Sequence, residues 1–495
     1  MKKIYLVSLV TLMVMALCSC NKTDYQKVIP ANVALVVKVD AKAIAEKSEF
    51  QKSKSMQKLE KSLKAVVADK DMKKVKDYID DPMSMGIDFS MPAYAFMVDK
   101  ETFGLTMKVN DKDDVKDFLL LLNKQGMASK PQEKNERMCG TLLDDFAYTY
   151  DGTTFLLLAS MNKAGGSKMG KLAQQLMELD EQDSFVSTDG FERLEDEDKD
   201  VSAYMNFAVL PTDILGFLAE WLPKSVYKDI FGLASLNFEK GSAQFTAKMF
   251  AKTDAVQKVI DEANEHLEKI NGRYLDKVSD DAAMWLGAGV KGDWLLGKIK
   301  ENKNLNSMLF ALERAVDIEQ MFRAVDGDVS MELSSFNSET NETDYVTYAT
   351  LKDKKFLDDV DDWKESQKEY GIVMKSRGNN QYALTMDGQT FNWGVDGDDL
   401  YIGTPLALGH SKKSTGALLK DYKDEIKDSR MFIYLNLAAM GKQSNGISSM
   451  GLALQSLSNA LKAITMKLVS VDELSLTVES NNKDENFLKI LLFNL

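Results

Sequence analysis

The sequence predicts an α+β fold built from two homologous halves, each a mostly antiparallel sheet with packed helices, behind a cleaved lipoprotein signal peptide. Three observations lead there. Residues 146–160, FAYTYDGTTFLLLAS, recur at 391–405 as FNWGVDGDDLYIGTP, at a constant offset of 245 that sets Phe146 on Phe391, Tyr148 on Trp393, Asp151 on Asp396 and Phe155 on Leu400. Residues 201–210, VSAYMNFAVL, recur at 431–440 as MFIYLNLAAM, with Tyr204 on Tyr434 and Asn206 on Asn436. Throughout, strand-like runs joined by hairpins and followed by helical segments suit antiparallel or mixed sheets rather than a parallel doubly wound one.

The first half opens with VALVVKV, Val33 to Val39, a buried-strand run, then helical segments at 41–47 and 53–79 that stop at Asp81-Pro82. Strands are expected at 93–98 and 102–109. Lys112 to Lys124 carries Val115, Phe118, Leu119 and Leu122 on one helical face. A strand at 138–143 leads into the repeated hairpin, whose Asp151-Gly152 and Asp396-Gly397 pairs suit the positive φ angles of a type I′ turn. A helix through Leu179, an acidic loop at 192–200, a strand at 203–209, an apolar helix at 212–222, a strand at 243–250 and a helix at 254–268 follow.

The second half restates the order: a strand at 282–290, a helix at 304–316, strands at 329–333 and 345–351, and a helix at 354–369. After the hairpin come a helix at 415–427, a strand at 431–437, a long apolar helix at 447–464, a strand at 473–478 and a short last helix.

Length supports the division, since 495 residues exceed one ordinary core. Hydrophobic residues at 44% and charged residues at 28% are ordinary for a folded body, and 7 prolines leave little for disordered linkers. The expected parts are a signal peptide at 1–19, a lipidated tether at 20–29, a first repeat at 30–270 and a second at 271–495.

The leader has a basic start, Lys2 and Lys3, and an apolar run from Ile4 to Leu17, too short to span a bilayer readily. It closes in Leu17-Cys18-Ser19-Cys20, which resembles the lipobox of bacterial lipoproteins, so Cys20 is the expected site of acylation. Several acyl chains, at about 0.8 kcal/mol per buried CH₂, would anchor the chain durably. An extended tether from Asn21 to Ile29 reaches roughly 30 Å. Losing Lys2 and Lys3 takes the formal charge from −14 to −16, which argues against nucleic acid and against electrostatic adhesion to anionic lipid. Cys139 is then the one remaining thiol, so no intramolecular disulfide is expected; opposite Leu384 at the common offset, it reads as a core residue.

Several motifs invite chemistry and fail in the second copy. Gly287 to Gly292 spells GxGxxG, yet 36–43 lacks these glycines, and a relaxed strand end is the better reading. Gly165 to Lys171 fits GxxxxGK, but Leu172 stands where a phosphate loop needs Ser or Thr. Asp326-Gly327-Asp328 and Asp396 to Asp399 read as turns, with Ala407 where a calcium loop needs glutamate. The acidic runs 192–200 and 358–362 read as solvated faces. His266 and His410, the two histidines, read as surface residues and cannot make a multi-histidine metal centre. No GxSxG, HExxH or CxxC occurs. No catalytic residue, metal or cofactor is therefore expected.

The lipobox followed by IPANVALVVKVD, Ile29 to Asp40, and the repeated strand-helix-hairpin unit resemble an uncharacterised family of Bacteroides-type lipoproteins, domain of unknown function 4836. That resemblance implies a cell-envelope lipoprotein and carries no activity. One shared feature suggests a role. Each half has a helix of low charge, and Phe217, Trp221, Leu454, Leu457 and Leu461 form a possible apolar surface for lipid or an envelope partner, with Met-rich walls. The expectation is a non-catalytic binding or assembly component of the envelope, anchored in the outer membrane through Cys20. Alternatives are a carboxylate-dependent glycan hydrolase, which predicts a close pair of buried acids, and a structural spacer.

Overall fold

Strand β1, Leu35–Val39, is hydrogen-bonded on both sides by antiparallel partners, β2 at Ala93–Met97 and a later strand at Val201–Asn206, so its VVKV run is buried on alternate positions. This geometry comes from a computed structural model that describes residues 24–49, 56, 61, 69–161, 166–209, 224–301, 306–307, 309, 313, 317–337, 342–386, 388–443 and 457–494. The chain separates into two units, residues 1–257 with 483–495, and residues 258–482. The fold is α+β with mostly antiparallel sheet.

In the first unit the remaining strands are β3 (Thr102–Lys108), β4 (Gln132–Lys134), β5 (Arg137–Leu142), β6 (Phe146–Tyr150), β7 (Thr154–Ser160), β8 (Val201–Asn206), β9 (Ile230–Glu239) and β10 (Ser242–Ala251). Their order is β10-β9-β8-β1-β2-β3-β7-β6-β5-β4, antiparallel throughout. The helices are α1 (Ala41–Ser48), α2 (Asp69–Asp80), α3 (Lys112–Lys124), α4 (Gly166–Leu176) and α5 (Asp189–Asp196). Helix α3 has the expected bounds because Asp111 caps it, accepting from the N–H groups of Asp113 at 2.8 Å and Asp114 at 3.1 Å. Two cores sandwich the sheet. Phe118, Leu119, Tyr148, Tyr150 and Phe155 pack on one face, and Tyr25, Tyr94, Phe96, Leu156 and Leu158 on the other. Helix α6, Asp254–Asn264, leads into the second unit.

There the strands are β11 (Leu267–Glu268), β12 (Met284–Lys291), β13 (Val325–Asn337), β14 (Glu342–Leu351), β15 (Val373–Gly378), β16 (Gln381–Met386), β17 (Gln389–Asp396), β18 (Asp399–Gly403), β19 (Met431–Asn436), β20 (Leu461–Ser470) and β21 (Glu473–Ser480). Apart from β11, which adds to β12, the order β21-β20-β19-β12-β13-β14-β18-β17-β16-β15 reproduces that of the first unit strand for strand. The helices are α7 (Gly292–Glu301), α8 (Ile318–Ala324), α9 (Val360–Ser366), α10 (Pro405–Ser411), α11 (Lys423–Lys427) and α12 (Leu437–Gln443). A last helix, α13 at Phe487–Asn494, belongs to the first unit and packs on α1, β9 and β10. The parts drawn from sequence and the units drawn from packing differ over Lys258 to Ile270 and Lys483 to Leu495.

The structure corrects several elements. Residues 461–464 begin strand β20 rather than ending a helix, and 189–196 form α5 where an acidic loop is expected from Glu192. Strand β9 has no counterpart in the sequence reading. Helix α10 starts at Pro405, whose fixed φ suits a first turn capped by Thr404, while 415–427 holds only a 3₁₀ turn and the short α11. Neither hairpin has a type I′ turn. Asp396 pairs with Asp399, leaving Gly397 and Asp398 at the centre with φ positive only at Gly397, the type II′ pattern. In the first unit Gly152 keeps an ordinary φ, and the Asp151 carboxylate accepts from the N–H groups of Thr153 at 2.8 Å and Thr154 at 2.9 Å. The apolar helix at 212–222 lies outside the described residues.

Candidate functional site: an apolar sheet face

Because the two sheets share their pairing order, each position of one can be matched to the other through its cross-strand partners. Val37 faces Ala95 and Ala203, and Ala203 faces Ala234, which faces Ala247. The same register positions of the second unit hold Leu286, facing Met331 and Ile433, then Met466 and Leu476. Residues directly opposite on antiparallel strands share a face. A row that is alanine and valine in one unit is therefore methionine, leucine and isoleucine in the other.

The neighbouring rows widen the patch. Leu333, Met284, Leu435, Ile464 and Val478 form one, and Ala288 and Met431 stand in the next. Met284, Met331, Met431 and Met466 thus lie on one face across four strands. Met331 is 41% exposed, and the other residues of its row are half-buried. The opposite face holds Trp285, Phe432 and Tyr434 in a closed core. Helix α7 packs on β12 and β13, and α12 on β13 and β20. Methionine side chains are unbranched and polarizable, so such a face adapts to an apolar surface laid on it.

The residues singled out from sequence fare unevenly. Cys20, Phe217, Trp221 and Leu454 lie outside the described residues. Leu457 is 36% exposed in a helical turn, and Leu461 is the first residue of β20 and 7% exposed. The face is hidden in the sequence because β20 alternates Leu461, Ala463 and Thr465, which are buried, with Ile464 and Met466, which are half-buried on the other side. With apolar residues on both sides, no period of two is visible.

Other candidates resolve into packing. Gly287 and Gly289 sit within β12, where a Cβ would lie 2.3 Å from the Trp285 ring and 2.4 Å from the Glu268 carbonyl oxygen. Asp328 lies in β13 and accepts from the N–H groups of Asn271 at 2.8 Å and Arg273 at 2.9 Å, tying down a loop. His266 is half-buried and stacks on Trp294 with centroids 5.8 Å apart, and His410 is half-buried with its Nδ1 shielded, so neither is the surface residue expected. Cys139 is half-buried rather than core, and its Sγ lies 3.4 Å from the Gln132 carbonyl oxygen. The register also reassigns it. Cys139 pairs with Thr149 and Leu142 with Phe146, while Gln381 pairs with Gly394 and Leu384 with Phe391, so Cys139 matches Gln381 and Leu384 matches Leu142.

Among the described residues four carboxylates are buried, Asp88, Asp200, Asp328 and Glu332. Each is held by donors. Asp88 meets Lys108 Nζ at 3.2 Å, Asp200 meets Lys47 Nζ at 2.7 Å and the Phe238 N–H at 2.6 Å, and Glu332 accepts from the Ser279 N–H and, at 2.6 Å, from the Ser334 hydroxyl. A cavity of about 510 Å³ beside α7 and α8 is lined by Lys300, Glu313, Glu319 and Leu309, with Lys300 and Glu319 paired to each other.

A family model spans residues 25–488. The chain belongs to that family, Domain of unknown function (DUF4836). Among solved structures it is similar to crystal form I of TP0453, at 10% identity and a TM-score of 0.27, over 50% of this chain and 87% of that one. It is also similar to crystal form IV of TP0453, at 10% identity and a TM-score of 0.28, over 46% and 81%. No curated protein matches.

Proposed function

We propose that this chain is a cell-envelope lipoprotein of two homologous halves, acylated at Cys20, that acts as a non-catalytic binding or assembly component. The observation that carries the binding role is the row Met331, Leu286, Ile433, Met466 and Leu476, a bulky and half-exposed apolar face where the other unit carries alanine. An apolar partner, such as the hydrophobic stripe of a helix, would bury it at about 25 cal/mol per Å². The lipobox supports the anchor, and the recurrent strand order supports duplication. A hydrolase would need two close, buried acids, whereas the buried acids described are each engaged by nitrogen or hydroxyl donors and the close pair Glu313 and Glu319 lies outside the core.

Crosslinking of the tagged protein in intact cells tests this, with Cys20→Ala and Met331→Asp as comparisons. The expected result is one partner captured by the wild type and lost from both variants. Equal capture by Met331→Asp, folded by circular dichroism, would remove the face from the proposal.

A further inference from the structure

We infer that the lipid leash is too short for the body to turn freely, so that the first unit presents one fixed side to the bilayer. This rests on the acylation of Cys20 proposed above.

The argument starts at Tyr25, five residues after Cys20. Asp24–Val28 forms a 3₁₀ turn on the first unit, and Tyr25, Val28 and Ile29 are buried. The Tyr25 hydroxyl donates to the Pro92 carbonyl oxygen at 2.7 Å, and its own carbonyl accepts from the Thr106 hydroxyl at 2.9 Å. Its ring meets Tyr94 edge-on, 5.8 Å between centroids. Downstream, the Ile29 carbonyl accepts from the Phe185 N–H at 2.8 Å and from the Ser184 hydroxyl at 3.1 Å. Tyr25, Val28 and Ile29, counted as tether from sequence, are thus part of the core.

What remains between Cys20 and Tyr25 spans at most about 18 Å. The acylated sulfur sits at the membrane interface, so the turn at 24–28 stays within that distance of it. Rotating the body away requires pulling a fully buried tyrosine and its hydrogen bonds out of the core. The side held down is the sheet face that carries this turn, with the neighbouring segment Glu181 to Asp183. Helix α3 covers the opposite face of the same sheet. Lys27 pairs with Glu181 at 3.6 Å, and Glu181 belongs to the acidic run Asp180 to Asp183, so the orientation comes from chain length rather than from attraction to anionic headgroups.

The test uses the full-length, processed protein in phosphatidylethanolamine and phosphatidylglycerol vesicles that contain a headgroup-labelled acceptor lipid. With Cys139→Ser removing the other thiol, a donor dye is placed at Gln182→Cys or at Lys116→Cys on the exposed side of α3. The expected result is several-fold stronger transfer from position 182, with the difference abolished by twelve Gly/Ser residues inserted after Asn21. Equal transfer from both positions, or a difference that survives the insertion, overturns the inference. The mass of the N-terminal peptide reads acylation separately. An unmodified Cys20 overturns the anchor proposal and this inference together, whereas equal transfer from an acylated protein overturns this inference alone.

Discussion

Glu332 occupies in the second unit the register position that Phe96 occupies in the first, each opposite the second residue of a matched strand, Trp285 of β12 and Val36 of β1 respectively. The matching is exact in pairing and opposite in chemistry. Phe96 rests on Gly104, where a Cβ would lie 2.2 Å from its ring; Glu332 is a 2%-exposed carboxyl set opposite Val346.

Burial pushes the Glu332 carboxyl above the usual carboxylate range, against the pull of the Ser279 N–H and the Ser334 hydroxyl. The proton is therefore bound more tightly in the folded state. Its stabilising contribution is fully present below the unfolded pKa and is lost as pH rises through the raised folded one. Glu332→Gln removes this term, so thermal melts from pH 4 to 8 should show the second unit's transition falling less with pH than in wild type. An unchanged pH profile would count against a buried, protonatable Glu332.

Lys38, 8% exposed, donates to the carbonyl oxygens of Leu194 at 3.2 Å and Glu195 at 3.1 Å and lies 3.7 Å from the Glu195 carboxylate. It closes the C-terminal end of α5 as a cation should. Lys38→Met leaves buried acceptors unpaired and should cost about 2–4 kcal/mol in urea unfolding. A loss under about 0.5 kcal/mol would mean that water replaces the ammonium.

The two hairpins give a paired test. Gly397 has φ +56°, and alanine there should destabilise by about 1 kcal/mol. Gly152 has an ordinary φ and open space around its Cβ direction, so Gly152→Ala should be neutral or stabilising by about 0.5 kcal/mol. Equal penalties in denaturant melts would mean that both turns share one backbone conformation.

Trp285 is 1% exposed, and its Nε1 donates to the Ser330 hydroxyl at 2.8 Å. Trp285→Ala should cost about 3–5 kcal/mol and Ser330→Ala about 1–2 kcal/mol. Additive losses in the double variant would deny the hydrogen bond its share of the coupling.

Much of this architecture was legible in the residues, for identifiable reasons. Helix α3 is found to the residue because Asp111 caps it and a single apolar stripe faces the core. The hairpins are found because the same register holds in both units, Tyr150 on Phe155 and Val395 on Leu400. The turn type was hidden, since Asp-Gly suits more than one turn and hydrogen bonding decides among them. Strand β9, IFGLASLNFE, and strand β20 were hidden because apolar residues on both faces erase alternation. The methionine face follows from the same blindness. Met331 and Met466 are more than a hundred residues apart, and only pairing through β12 and β19 brings their strands into one surface.

Residues 483–495 complete the first unit although the second unit intervenes. The Gly241 N–H donates to the Glu485 carbonyl oxygen at 2.9 Å, Asn486 Nδ2 to the Phe238 carbonyl oxygen at 3.0 Å, and Lys489 Nζ meets Glu49 at 3.1 Å, while Phe487 and Ile490 are buried. The part of the body synthesised earliest cannot finish folding until residue 490 has left the ribosome and, if the chain is exported, crossed the membrane. The first unit therefore has an edge that only the last residues of the chain can close, so its folding is tied to the completion of the whole chain.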